Sequence, residues 1–158
     1  MLNLFKNAKK NLKRIAITDK DRSYTYQELM EISDRLSSGL LANTSDLKEK
    51  RVGLFINPSF DYVATLWGIW KAGGVSVPLN LSATINELTH YIKETNINLI
   101  VVDSENKKKL AKFVVKKKIE LKTPKELIQK TKQTLPKITL ERRAMILFTS
   151  GTTNKPKG

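Results

Sequence analysis

The chain has 158 residues, of which 40% are hydrophobic, and its 29 Lys and Arg against 15 Asp and Glu give a net charge of +14. That is about one domain of chain with enough apolar content for a core, which excludes a disordered tail. With no Cys and one His it also excludes a disulfide scaffold, a thiolate metal site, a Cys nucleophile and any chemistry that needs two histidines. The apolar runs are too short to span a membrane, and the basic start MLNLFKNAKKNLKRIAI lacks the apolar core of a signal peptide, so a cytoplasmic chain is expected.

Residues 14–18 and 22–26 read as two short strands around the polar turn 19–21. Thr25 and Glu28 form a capping box that opens a helix carrying Leu29, Ile32, Leu36 and Leu40 on one face. Residues 51–56 (RVGLFI) read as a buried strand. Asn57 and Pro58 then predict a helix start, with Asn as cap and Pro at the first helical position. Phe60, Val63, Ala64 and Trp67 follow at helical spacing, and Gly73-Gly74 ends that helix. Residues 75–78 form a short strand. Thr84 with Glu87 is a second capping box, ahead of Leu88, Tyr91 and Ile92. Residues 98–102 form a buried strand, and Ser104 is the predicted cap of a lysine-rich helix whose apolar side is Leu110, Phe113 and Val114. Thr123-Pro124-Lys125-Glu126 is a third capping box. Residues 143–148 (RAMILF) form a last apolar strand. Strands alternate with helices, and from 51 onward they are apolar on both faces. The predicted fold is α/β, with a mostly parallel sheet covered by helices.

The charge is uneven: residues 105–142 hold 13 Lys and Arg against 4 Asp and Glu. This stretch reads as a solvated surface or as a basic module for nucleic acid or anionic membrane. It has no Arg before Arg142 and one aromatic, Phe113, whereas sequence-selective and single-strand binders interleave Arg and aromatics. Specific nucleic-acid binding is therefore not expected. His90 reads as a surface or boundary residue, Trp67 and Trp70 as core. Asp61, Asp103 and Glu105 read as capping or surface groups, so no metal site is predicted.

The chemistry lies in the last ten residues. Thr149, Ser150, Thr152 and Thr153 bring four hydroxyls, Gly151 and Gly158 permit close backbone approach, and Lys155 and Lys157 bring charge. The segment leaves the carboxyl end of a strand, where open α/β sheets bind ligands. It reads as a polyphosphate loop or as a polar chain terminus. It is not the G-x-x-x-x-G-K-[ST] loop, because the fifth residue after Gly151 is Pro156 and no hydroxyl residue follows Lys157.

The run 149–158, T-S-G-T-T-N-K-P-K-G, closely resembles the phosphate loop of the adenylate-forming superfamily: acyl-CoA synthetases, adenylation domains of peptide synthetases and luciferases. Its usual form is [TS]-S-G-T-T-G-x-P-K-G, and the departure is Asn154, a residue that tolerates positive φ. Residues 24–29 (YTYQEL) resemble the family's early T-Y-x-E-L segment, and residues 69–80 resemble its K-A-G-x-x-x-x-P-L-N segment. Residues 78–80 with 84–88 (TINEL) are most similar to acyl-CoA synthetases, malonyl-CoA synthetases among them.

The resemblance implies the N-terminal part of the large domain of an AMP-forming acid–CoA ligase, of the kind that serves fatty acid metabolism. Residues 14–104 would be α/β core, 105–142 a lysine-rich surface excursion, and 143–158 strand plus phosphate loop. It implies a carboxylic acid substrate, ATP with Mg2+, and coenzyme A as co-substrate. Thr149, Ser150, Gly151, Thr152, Thr153, Asn154, Lys157 and Gly158 would hold the nucleotide, Lys157 on the pyrophosphate side. The family's acid pocket, ribose-binding Asp and catalytic lysine fall beyond the equivalent of Gly158. The 158 residues alone are thus expected to be catalytically incomplete, with a separately encoded C-terminal part among the partners the resemblance implies.

Overall fold

The computed structural model describes residues 3–20, 22–42, 44–115 and 118–148. An N-terminal helix α1 (Asn3–Lys10) is followed by the antiparallel pair β1 (Ile15–Asp19) and β2 (Arg22–Thr25). The chain continues as α2 (Tyr26–Leu41), β3 (Arg51–Phe55), α3 (Phe60–Lys71), β4 (Val75–Pro78), α4 (Ile85–Thr95), β5 (Leu99–Val102), α5 (Ser104–Val115), β6 (Glu120–Lys122) and α6 (Pro124–Leu127). The predicted α/β fold is what forms: β4-β3-β5-β6 is a four-stranded sheet, parallel throughout.

Side-chain alternation sorts the sheet into two apolar layers. Val52, Leu54 and Val101 face α2 and α3, together with Phe5, Leu29, Leu36 and Trp67. Phe55, Val77, Ile100 and Val102 face the other way and pack with Leu88, Tyr91, Leu110 and Val114 of α4 and α5. Both faces are covered, which is why these strands read as continuous apolar runs.

The three capping boxes are all present, at Thr25/Glu28, Thr84/Glu87 and Thr123/Glu126. Two predicted caps are displaced. Helix α3 is capped by Ser59, not Asn57, with the Ser59 hydroxyl accepting from the Tyr62 N–H, so Pro58 precedes the cap and Phe60 is the first helical residue. Asp19 reaches over from β1 to accept from the Phe60 N–H, so a tertiary contact helps fix that start. Helix α5 is capped by Asp103, one residue before Ser104, its carboxylate accepting from the Asn106 N–H. Carboxylate wins here because it is the stronger acceptor toward a helix N-terminus.

Two elements have no counterpart in the sequence reading. Helix α1 is short and basic, and it buries only Phe5 and Ala8. Strand β6 pairs with β5 inside the lysine-rich stretch, and the Leu127 side chain beyond it is 2% exposed. The predicted strand 143–148 is shorter than expected. It forms a single parallel bridge, Met145 opposite Ser76, on the free side of β4.

Candidate functional site

The sheet has a defined exit for the segment after Phe148. The Ser76 N–H donates to the Ala144 carbonyl (3.0 Å), and the Ile146 N–H donates to the Ser76 carbonyl (2.9 Å). Residues 144–146 therefore run parallel to β4 and head toward its carboxyl end. The Ala144 carbonyl also accepts from the Ser76 hydroxyl (3.0 Å) and the Trp70 indole N–H (2.7 Å). Phe148 ends the described run, with its ring 4.3 Å from that of Tyr91 in α4.

Just upstream, two arginines fasten the segment to the loop before β3. Arg142 binds Asp46 through two parallel bonds, Nη1 to Oδ1 at 2.8 Å and Nη2 to Oδ2 at 2.6 Å. Arg143 donates to Glu49 from its backbone N–H (2.9 Å) and from Nε (3.0 Å). Bidentate pairs fix geometry as well as charge. The side-chain bonds from Arg142 hold the Asp46 carboxyl below its ordinary range against the opposing effect of burial. The backbone N–H of Arg143 does the same for Glu49. Gly73 is needed beside this clamp. Its φ of +81° lets Gly73 and Gly74 close α3 on the carbonyls of Trp70 and Ile69.

At the carboxyl ends of the central strands, Asp103 ties β5 to β3. Its Oδ2 accepts from the Asn57 backbone N–H (2.9 Å), the Asn57 amide (3.0 Å) and the Asn106 amide (3.0 Å). Burial pushes the Asp103 pKa up, but the Asn106 and Asn57 donors outweigh it and hold the carboxyl ionised below its ordinary range. Asp103 is thus a structural tie whose acceptor capacity is used. Asp61, exposed in the first turn of α3, has its pKa raised by partial loss of solvation and then by the Asp19 charge. Among the described residues no group of three His, Cys, Asp or Glu could hold a metal ion.

The clamp predicts its own acid sensitivity. A carboxyl held low in the folded chain contributes stability above its unfolded pKa, and this is lost as pH falls through the folded value. Asp46 and Glu49 fall in this class. So does Glu126, lowered to about 2 first by the Lys107 ammonium and then by the Thr123 N–H. The melting temperature is expected to hold from neutral pH to the ordinary carboxylate range and then fall toward pH 2. In D46N, part of that acid-side fall is expected to be gone. Melting curves of both chains across this range check it.

The basic stretch is partly neutralised within the fold. Lys107 pairs with Glu126 (2.6 Å), Lys122 with Glu120 (2.9 Å), Lys132 with Asp34 (3.7 Å) and Arg142 with Asp46 (2.6 Å). Duplex DNA is accordingly expected to bind only weakly, without sequence preference, and with affinity falling steeply between low and physiological salt. Fluorescence anisotropy over a salt series measures this, and a selective complex surviving physiological salt would contradict it.

Of the residues singled out in the sequence, Trp67 is core as predicted, whereas Trp70 is half-buried and serves as a donor to the segment that leads to 149. His90 lies near Glu94 (3.9 Å) and the Phe148 ring. Asp46 and Glu49 were not legible as partners of Arg142 and Arg143, because no periodicity links residues so far apart. Thr149, Ser150, Gly151, Thr152, Thr153, Asn154, Lys157 and Gly158 lie outside the described residues.

With this geometry, comparison with known proteins gives the class. The model of the AMP-binding enzyme family matches residues 4–158, and the chain belongs to that family. Malonate–CoA ligase of Arabidopsis thaliana is 29% identical over 181 residues, covering 98% of this chain and 30% of the ligase. The mitochondrial malonate–CoA ligase ACSF3 of Mus musculus is 32% identical over 156 residues, covering 92% of this chain and 27% of its own length. The chain thus spans less than a third of these curated relatives.

Solved structures agree on the fold. O-succinylbenzoate coenzyme A synthetase (MenE) of Bacillus subtilis, in complex with AMP, superimposes with a TM-score of 0.84 at 21% identity. The match covers 100% of this chain and 41% of that one. The Klebsiella oxytoca NpsA N-terminal subdomain, in complex with 3-hydroxybenzoyl-AMSN, gives 0.82 at 22% identity, over 98% of this chain and 38% of that one. The chain has the fold of the N-terminal subdomain of adenylate-forming enzymes, and its relatives include ligases. Among the described residues no helix is long and apolar enough to cross a membrane.

Proposed function

We propose that the chain is the N-terminal portion of an AMP-forming acid–CoA ligase and supplies its polyphosphate loop. The observation that carries this reading is the bridge of Met145 to Ser76. It aims residues 146–148 at the carboxyl end of the sheet, immediately before the run 149–158. Ligands in open α/β sheets bind at that end. Residues 1–158 then form the first part of an AMP-binding domain: a 14–104 core, a 105–142 lysine-rich flank and a 143–158 strand and loop. The remaining segments come from the same polypeptide or a separately encoded part, and a cytoplasmic location belongs to the same proposal.

In the first half-reaction a carboxylate oxygen attacks the α-phosphorus of ATP. The Pα–O bond to the β-phosphate breaks, giving acyl-adenylate and pyrophosphate. In the second, the sulfur of coenzyme A attacks the acyl carbon, its proton goes to solvent, and AMP leaves. The loop's share is electrostatic. In this reading Thr149, Ser150, Thr152 and Thr153 donate from hydroxyl and backbone, Gly151 and Gly158 allow close approach, Asn154 stands where Gly is usual and tolerates positive φ, and Lys157 neutralises developing charge on pyrophosphate. Mg2+ arrives with ATP and offsets phosphate charge. The hydroxyl oxygens of the loop are hard donors of the kind it accepts.

The malonate–CoA ligases among the relatives favour a small dicarboxylate as the acid. A chimera carrying residues 1–158 in place of the matching segment of the Arabidopsis ligase tests the proposal. It is expected to catalyse acid-dependent ATP–pyrophosphate exchange and to form a CoA thioester. A folded chimera that does neither contradicts it.

A further inference from the structure

The described residues enclose a second feature that the ligase reading does not use. A half-open cavity of about 330 Å3 lies between α1, α2, the last residue of α3 and the 135–138 segment. Its walls are apolar, from Phe5, Met30 and Leu135, and its floor is the Lys71–Asp34 ion pair at 2.7 Å. A pocket of that size with few polar groups fits a small organic ligand.

The charge around it is one-sided. Lys71, Lys9 and Lys137 line the cavity, and Asp34 is the one acid among its lining residues. Asp34 is already engaged, by Lys71 at 2.7 Å and by Lys132 at 3.7 Å, so its charge is met inside the protein. Lys71 is 6% exposed and spends its three N–H bonds on Ser33 Oγ, Asp34 Oδ1 and the Met30 carbonyl. It therefore contributes field, not a free donor. Burial lowers its pKa, Asp34 works against that, and the charges of Lys132 and Lys9 lower it further. An anion in the cavity would relieve this crowding of cations. Lys9 and Lys137 are exposed, with long stems that can bring their ammonium groups to a bound head.

We propose that this cavity binds a small amphiphilic anion, a carboxylate or phosphate monoester on one apolar body. The body rests against Phe5, Met30 and Leu135, and the head meets Lys9 and Lys137. Its lining shares no residue with the run 149–158, and the proposal does not depend on the ligase reading.

Titration of the 158-residue chain with octanoate, octyl phosphate, octanol and octylammonium tests it. Binding is followed by calorimetry and by fluorescence of Trp67, which packs edge-on against Phe5 at 5.2 Å. At low salt at least one anion is expected to bind about tenfold or more tightly than octanol or octylammonium, and added salt should narrow that gap. The tighter of the two anions identifies the head. In the double variant K9Q/K137Q, anion affinity is expected to drop about fivefold while that for octanol stays the same. Both positions are exposed, so the variant keeps its fold, which its melting curve checks. Octylammonium binding as tightly as the anions, no saturable anion binding, or unchanged anion affinity in the double variant would each overturn the proposal.

Discussion

Lys157→Ala in the active chimera is expected to slow ATP–pyrophosphate exchange by about 10²–10³-fold, the usual cost of removing one preorganised group facing developing charge. The acid attacks phosphorus in the first half-reaction, and pyrophosphate leaves there. Thioester formation from preformed acyl-adenylate, which contains no β- or γ-phosphate, should change little. The split between half-reactions separates a phosphate contact from a general loss of structure, which would depress both. If exchange survived and only thioester formation failed, the role given to Lys157 would be wrong. Lys155, at the variable position of the loop, serves as the control. Its alanine variant is expected to stay within a few-fold of the parent in both steps.

The largest stability effect is expected at Gly39. This residue lies in α2 where α6 crosses it, and a Cβ built there falls on the Leu127 carbonyl, with the Leu127 Cα at 3.1 Å. Every neighbour it meets is backbone, so no rotamer change relieves the clash. Insertion of Ala must push α6 outward and unseat the buried Leu127 side chain. It also strains the Gln133 N–H bond to Ser38 Oγ (2.9 Å). Overpacking costs about 1–3 kcal/mol and occasionally more, and this rigid contact belongs at the upper end. For a chain of this size that is a fall in melting temperature of roughly 5–12 °C. Gly53→Ala is the useful comparison, because its new Cβ would meet side chains and not backbone: the Leu79 Cδ1 methyl at 3.2 Å, which can turn aside, and Ile100 Cγ1 at 2.9 Å, which is stiffer. Equal melting of G39A and the parent would show that α6 is not packed as described.

The elements that the sequence announced are those whose determinants are local. A capping box lies within four residues, so Thr25, Thr84 and Thr123 marked their helices directly. The buried strands announced themselves because both faces of the sheet are covered, leaving no polar alternation. What stayed hidden is non-local or diluted. Asp19 helps set the start of α3 from the other side of a hairpin, which a reading of Asn57-Pro58 could not include. Strand β6 is three residues long, and its apolar signal is Leu121 between Glu120 and Lys122. The Asp46–Arg142 and Trp70–Ala144 contacts that hold residues 142–144 against the sheet join residues 96 and 74 positions apart. By contrast the proposed phosphate run 149–158 can be read from the sequence because its hydroxyls, glycines and lysines are compressed into ten consecutive residues.

The central claim is that the run 149–158, and not the more basic stretch 105–142, receives the phosphates of ATP. An adenosine polyphosphate ending in pyridoxal forms an imine with a lysine amine beside the phosphate chain, and borohydride reduction fixes it for peptide mapping. In the chimera the label is expected on Lys157, with protection by Mg-ATP and no comparable protection at any lysine of 105–142. ATP-protected labelling confined to 105–142, with Lys157 untouched, would contradict the claim.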